Sequence, residues 1–308
     1  MSKHILVPLD GSKLAEAALP AAWYLAGALG AKVTLVHVIE EDAPATIHGE
    51  RHLQSPEEAE AYLKGISERA GPPGTVVVRH VHAAATGDIV KAIVAHQGEL
   101  APDLIVMCTH GRGGLRRIII GSIAQQVAAS GQTPVLLIRP DAHGRSASFA
   151  VKTILAPLDG DGAHEQGLDE ALELAHATGA RLRLLSVVPT IGTLAGRDAT
   201  IGKFMPGTTQ AILEIAEADL QSYLHRQVSR LRQTGVSASA ELRHGDIAPA
   251  ILEAAEKLDA GIIVLATHGK AGNEAFWTNS VAARVQAQTT RPLLLVPVAR
   301  IQEEPGRA

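Results

Sequence analysis

The residues best suited to chemistry lie at 108–122, CTHGRGGLRRIIIGS, directly after the apolar run DLIVM. Glycines at 111, 113, 114 and 121 permit close approach of the main chain to a ligand, and Arg112, Arg116 and Arg117 supply positive charge. Exposed amides near a helix start can hold a phosphate. The spacing is not that of a Walker loop, because no Gly-Lys-Ser/Thr triplet follows the glycines, and the dinucleotide fingerprint is also missing after the first strand. On the residues alone two readings stand side by side: an anion or nucleotide cradle, and a glycine-permitted turn with a solvated arginine face.

The other reactive side chains form no closed set. Asp10 in VPLDGS and Asp159 in APLDGD are candidates for metal or ribose contact, but neither half shows the hydroxyl–carboxylate magnesium pair of a P-loop enzyme. His110 and His268 follow threonines and read as loop-holding groups, and Asp88 and Asp246, each between a glycine and an apolar helix, read as N-caps. Among 14 histidines, the pairs His48/His52 and His80/His82 come without a ligand set, so the metal stays unassigned. No serine sits in a nucleophile elbow. Cys108 is the single cysteine, which excludes an intrachain disulfide and a thiolate cluster; with no resolving partner it reads as a small buried residue. No catalytic residue is assigned, and slow nucleotide turnover is the most that an enzyme reading supports.

The elements that must position these groups come twice. HILVPLDGS at 4–12 returns as TILAPLDGD at 153–161, and LGAKVTLVHV at 29–38 returns as TGARLRLLSV at 178–187, both at an offset of 149. HAAATGDIVKAI, PDLIVMCTHG and TPVLLIRP recur at an offset of 158, which one nine-residue insertion within 190–209 explains. Shared polar signatures in the same order mark a duplication rather than generic strands. Length sets the same expectation, since 308 residues suit two domains. They are expected at 1–141 and 151–300, joined by the small, polar stretch DAHGRSASFA.

Within the first half, β-branched runs predict strands at 3–8, 32–38, 75–81, 103–107 and 134–138, alternating with helices at 13–29, 56–70, 87–98 and 115–130. The second half repeats the order with a longer second helix from about Thr209. Near-continuous apolar strands imply helices on both faces of each sheet. The fold class is therefore α/β, two Rossmann-like, open, mostly parallel five-stranded sheets, with ligands expected outside the carboxyl ends of the strands.

Composition narrows the partners. A formal charge of −4 offers nucleic acid or an anionic membrane no global attraction, and the opening MSKHILVPLDGS lacks the apolar region of a signal peptide. No run reaches membrane-spanning length, so a cytoplasmic protein is expected.

Both halves resemble universal stress protein domains, and the chain resembles the tandem-domain members of that family. Its ATP-binding branch carries a glycine, two residues, a glycine, nine residues, a glycine and then serine or threonine; here Cys108 takes the first position, followed by Gly111, Gly121 and Ser122. The resemblance implies ATP or another adenine nucleotide as ligand, with or without magnesium. It places Pro8, Leu9 and Asp10 at the nucleoside, Val38 against the adenine, Met107 and Cys108 beside the ribose, and Gly111, Gly121, Ser122 and Ile123 around the phosphates. In the second half Ala266, Gly269, Asn279 and Ser280 occupy the motif positions, and Pro157, Leu158, Asp159 and Val187 form the nucleoside side. Asn279 in a glycine position implies a weaker second site. The resemblance also implies a stress-response regulator or sensor whose last strands pair the two domains within one chain, with a homodimer as a further association. A non-enzymatic interaction scaffold with decayed nucleotide sites is the alternative.

Overall fold

The computed structural model describes residues 3–39, 46–47, 50–70, 72–83, 89–109, 122–130, 132–140, 148–194, 196–267 and 280–298. The first half runs through β1 (His4–Pro8), α1 (Lys13–Glu16), α2 (Leu19–Leu29), β2 (Lys32–Ile39) and a two-residue ribbon, β3 (Thr46–Ile47) with β4 (Glu50–Arg51). It continues with α3 (Pro56–Ala70), β5 (Val77–Ala83), α4 (Ile89–Leu100), β6 (Leu104–Cys108), α5 (Ser122–Ser130) and β7 (Val135–Ile138). The second half holds β8 (Thr153–Pro157), α6 (Glu165–Thr178), β9 (Arg181–Val188), α7 (Gly196–Phe204) and α8 (Pro206–Gln233). After these come β10 (Ala238–His244), α9 (Ile247–Lys257), β11 (Ile262–Thr267), α10 (Val281–Gln288) and β12 (Leu293–Pro297).

The chain divides into two compact units, one built on the first half together with 290–297 and the other on the rest of the second half. In the first unit the strand order is β7-β6-β1-β2-β5, all parallel, with β12 antiparallel beside β7 in the register Leu294 to Leu136. In the second the order is β11-β8-β9-β10, again parallel. This mostly parallel α/β layout is the expected one. Each order places the first strand of its half between the second and fourth, the reversal that opens a crevice at the carboxyl ends.

Burial explains why the strands form. Ile5, Leu6, Val7, Leu35, Ile105 and Leu136 are almost wholly covered in the first unit, as are Ile154, Leu155, Leu182, Leu184 and Ile263 in the second. At about 1.5–3 kcal/mol for each large aliphatic side chain, this burial is the principal force holding sheet and helices together. α2 buries Leu19, Ala21, Ala22, Leu25 and Ala26, and α6 buries Gly167, Leu168, Ala171, Leu174 and Ala175. Small residues on these faces let the helices lie close to the sheet. Gly167 shows the limit: a Cβ there would stand 3.2 Å from the backbone nitrogen of Ala266.

Two expectations need correction. The single helix expected at 13–29 is broken at Ala17–Ala18, because Pro20, in the first turn of α2, has no N–H to continue the ladder from α1. The insertion is also larger than the repeated motifs imply. Val33 pairs with Val77 while its counterpart Leu182 pairs with Ala238, so the offset across β5 and β10 is 161. Twelve residues enter before these strands and three are lost after them. The gain lengthens α8, which starts at Pro206 and runs 28 residues against 15 in α3. The part of the fourth expected helix at 115–121 lies outside the described residues, as does most of the linker stretch at 141–150.

Candidate functional site

Each half presents the same construction at the carboxyl end of its first strand. Pro8 ends β1, the Leu9 amide donates to the Val36 carbonyl at 2.8 Å, and the Leu9 carbonyl receives the buried His37 ring through Nδ1 at 2.7 Å. In the second half Pro157 ends β8, the Leu158 amide donates to Leu185 at 2.8 Å, and its carbonyl accepts the Ser186 hydroxyl at 2.7 Å. His37 and Ser186 occupy matched positions, and both tie the residue before the aspartate to the neighbouring strand.

The aspartates follow directly. Asp10 Oδ1 accepts the Ser12 amide at 2.9 Å and the Ser12 hydroxyl at 2.6 Å, while Ser12 Oγ accepts the Ala15 amide at the start of α1. Gly11 makes the turn possible, with φ of 91° and only 3.1 Å between a virtual Cβ and Leu53. Asp159 Oδ1 likewise accepts the Asp161 amide at 3.0 Å, and Gly160 repeats the positive φ at 86°. Here the hydroxyl of Ser12 is replaced by the carboxylate of Asp161, which caps the Ala163 amide and has no proton to give Asp159. His164 Nδ1 reaches Asp159 Oδ2 instead, at 2.6 Å.

The floor of the first-half site is apolar. Val38 lies near the end of β2, and Met107 and Cys108 close β6, all buried; the register puts Val38 and Met107 on one face of the sheet and Cys108 on the other. Burial, with the charge of Asp10 second, pushes the Cys108 thiol far above its ordinary pKa, so it stays protonated and behaves as an apolar wall. Val187 takes the matched place in β9 and is partly exposed. Ser122 and Ile123 open α5, whereas Gly111, Gly121 and Gly269 lie outside the described residues, together with Asp88, His110, His268 and Asn279.

Ser280 has a structural duty. It N-caps α10, its Oγ accepting the Ala283 amide at 3.1 Å. Replacing it with alanine should lower the stability of the second unit by about 1 kcal/mol, read as a reduced denaturant midpoint with unchanged slope. Asp246 stands at the N-cap position of α9 but makes no side-chain cap bond. Its carboxylate pairs with Arg284 of α10 at 2.6 Å, which holds its pKa below the usual range.

Several site residues were not visible in the motifs. Tyr62 of α3 is packed beside Glu16 and Asp10, with Arg69 nearby; burial first and then the two carboxylates raise its pKa. Tyr223 of α8 repeats this beside Glu165 and Asp159, with Arg230 nearby. Glu165 is further held by Gln227 at 2.7 Å and Arg230 at 3.8 Å. Thus a tyrosine from the crossover helix, a glutamate from the first helix and the loop aspartate meet in both halves. Offsets of 149 for the glutamates and 161 for the tyrosines were the available signal, hidden by the unrecognised twelve-residue gain. Among the described residues, no three His, Cys, Asp or Glu side chains gather as a metal site, and His80 and His82 simply stack at 6.5 Å. No described helix is long and apolar enough to cross a membrane.

Two parallel α/β units, each with a strand–Leu-Asp-Gly–helix turn at its crevice, define a tandem stress-protein architecture, and the chain belongs to the universal stress protein family, whose model matches residues 1–139 and 150–297. It is similar over nearly its whole length to a universal stress protein of Mycolicibacterium smegmatis, 24% identical over 309 residues that cover 95% of this chain and 96% of the relative. Universal stress protein YxiE of Bacillus subtilis is 28% identical over 151 residues, 45% of this chain and 100% of its own. The fold is similar to that of a functionally unknown protein from Pseudomonas aeruginosa PAO1, with TM-score 0.70 and 19% identity over 96% of this chain and 93% of that one.

Proposed function

We propose that this protein binds adenine nucleotide, chiefly in its first half, and uses that binding as a cytoplasmic regulator or sensor in a stress response. The observation that carries the reading is Asp10. Its turn holds a carboxylate at the rim of an apolar floor on the sheet face shared by Val38 and Met107, at the strand reversal. An apolar floor suits a purine face, and a fixed carboxylate accepts hydrogen bonds from a nucleoside. The Cys108–Gly111–Gly121–Ser122 pattern supplies the phosphate end by resemblance. Among the described residues of the site, none is assigned as a catalytic base.

Calorimetric titration of the nucleotide-free protein with ATP, with and without magnesium, tests this. One saturable site per chain is expected. A folded protein that shows no saturable heat at millimolar ATP overturns the reading.

A second reading, a protein-interaction scaffold, is favoured by one feature of the second half. Ile201 and Phe204 of α7, Met205, and Ile212 and Ile215 of α8 leave their apolar side chains exposed, Phe204 by 82%. That reading takes over if the ATP titration is flat.

A further inference from the structure

The geometry points to a second binding site, for a small aliphatic carboxylate, in a cavity beneath α9 of the second half. The cavity has a volume of about 230 Å³ and lies between α9 and the sheet face of β8, β9 and β10. The strand register puts Leu155, Arg183 and Ser239 side by side on that face, with Leu185 next along the same face of β9. Ala254 and Leu258 close the cavity from the helix side. Arg183 stands near the amino end of β9, so this space is separate from the crevice at the carboxyl ends of the strands.

A guanidinium in such a wall calls for an anion. Arg183 Nη1 donates to the neutral Ser239 hydroxyl, and Nε is buried with no hydrogen-bond partner among the described residues. Glu241, which also lines the cavity, is already paired, its Oε1 accepting Arg243 Nε at 2.7 Å. Arg243 is turned toward α9, donating to the Ala250 carbonyl at 3.4 Å. Two arginines against one glutamate leave a net positive charge on this face. A buried cationic N–H without an acceptor is costly, and a carboxylate oxygen supplies a charge-assisted bond to it. The aliphatic walls fix the rest of the ligand: an apolar tail, short because the volume falls below the roughly 300–1,000 Å³ of pockets for drug-sized molecules.

The duplication shows that only one half is built this way. Positions 153 and 183 match 4 and 34, where the His4 ring stands 2.8 Å from Thr34 Oγ1 and 3.0 Å from the Leu100 carbonyl. The first half therefore fills the place with a histidine–threonine contact, and Val78 stands where the second half has Ser239. Exchange of that pair for Thr153 and Arg183 brings a guanidinium to the cavity.

The test titrates sodium butyrate into isotope-labelled full-length protein at constant ionic strength, following the Arg183 Nε–H signal and the Ser239 and Leu258 amides. One saturable transition at these groups is expected, with the Gly11 and Val36 amides of the first-half crevice unmoved. Butyramide, of the same shape without the charge, should bind at least about 10-fold more weakly. Acetate, two methylenes shorter, should also bind about 10-fold more weakly. Arg183→Thr, which installs the residue of the matched position 34, should abolish the transition, and Arg183→Lys, which keeps charge but not the fork, should weaken it. Absence of saturation in the folded parent chain at tens of millimolar butyrate overturns the site. Equal binding of butyramide overturns the role of the guanidinium, and equal binding of acetate, inorganic phosphate and butyrate marks an unselective anion contact and overturns the ligand class. These three outcomes are read on the parent chain, so they hold even where Arg183→Thr fails to fold.

Discussion

Replacing Asp10 with alanine should weaken ATP binding about 10- to 100-fold, the loss expected when hydrogen bonds to a buried-edge carboxylate are removed from a ligand site. Two effects combine in that variant. The ligand loses its acceptor, and the turn loses the carboxylate that orders the Ser12 amide and hydroxyl at 2.9 and 2.6 Å. Asp10→Asn separates them. The asparagine carbonyl still accepts the Ser12 amide, so the turn persists while the charge is lost, and an intermediate affinity is expected. Calorimetry measures both, with thermal melts to show that the fold is retained. If Asp10→Ala binds ATP as tightly as the parent chain, the nucleotide does not sit at the first loop.

Much of this arrangement was legible because it depends on local pattern. VPLDGS and APLDGD each place a continuous apolar strand before an Asp-Gly turn, and both turned out to be strand ends with positive-φ glycines. Helix α3 begins and ends where periodicity put it, at Pro56 and Ala70. What was not legible depends on contacts between distant segments. No local signal tells that Tyr62 will lie beside Glu16, since their meeting requires the crossover through β2 and the descent of α3 onto α1. The one route to it was the duplication, which repeats the pair as Tyr223 and Glu165, but the strand register had to reveal the true offset first. His164 escaped for a different reason. In the sequence it reads as one more surface histidine, and only the replacement of Ser12 by Asp161 in the matched turn leaves Asp159 needing a donor that His164 supplies.

The duplication also predicts which half fails first in acid. His4 and His37 are both buried in the first unit, and their matched positions in the second hold Thr153 and Ser186, which do not titrate. The Leu100 carbonyl, 3.0 Å from His4 Nδ1, can only accept, so Nδ1 carries the proton and Nε2 faces the Thr34 hydroxyl at 2.8 Å. The Leu9 carbonyl fixes His37 in the same way, and its Nε2 is buried with no hydrogen-bond partner. A second proton on His37 would therefore leave a buried cation with one N–H unsatisfied. Burial is the largest influence on both rings and lowers both pKa values from 6.5; nearby Lys32 adds to this for His4, and His52 for His37.

The sign follows from proton counting. Below about pH 6.5 the unfolded chain takes up protons at these two positions that the folded chain refuses, so stability falls as the pH drops and is fully present above that value. Both rings act in the same direction, so the first unit loses stability as the pH falls from 7.5 to 5.5. Amide hydrogen exchange resolves the halves and should show β1 and β2 losing protection in acid before β8 and β9. His37→Ser, which borrows the second half's own solution at Ser186 and its 2.7 Å bond to the preceding carbonyl, should remove about half of the acid sensitivity. Equal loss of protection in both halves, or an undiminished pH dependence in that variant, would show that the buried histidines do not set the acid limit of the fold.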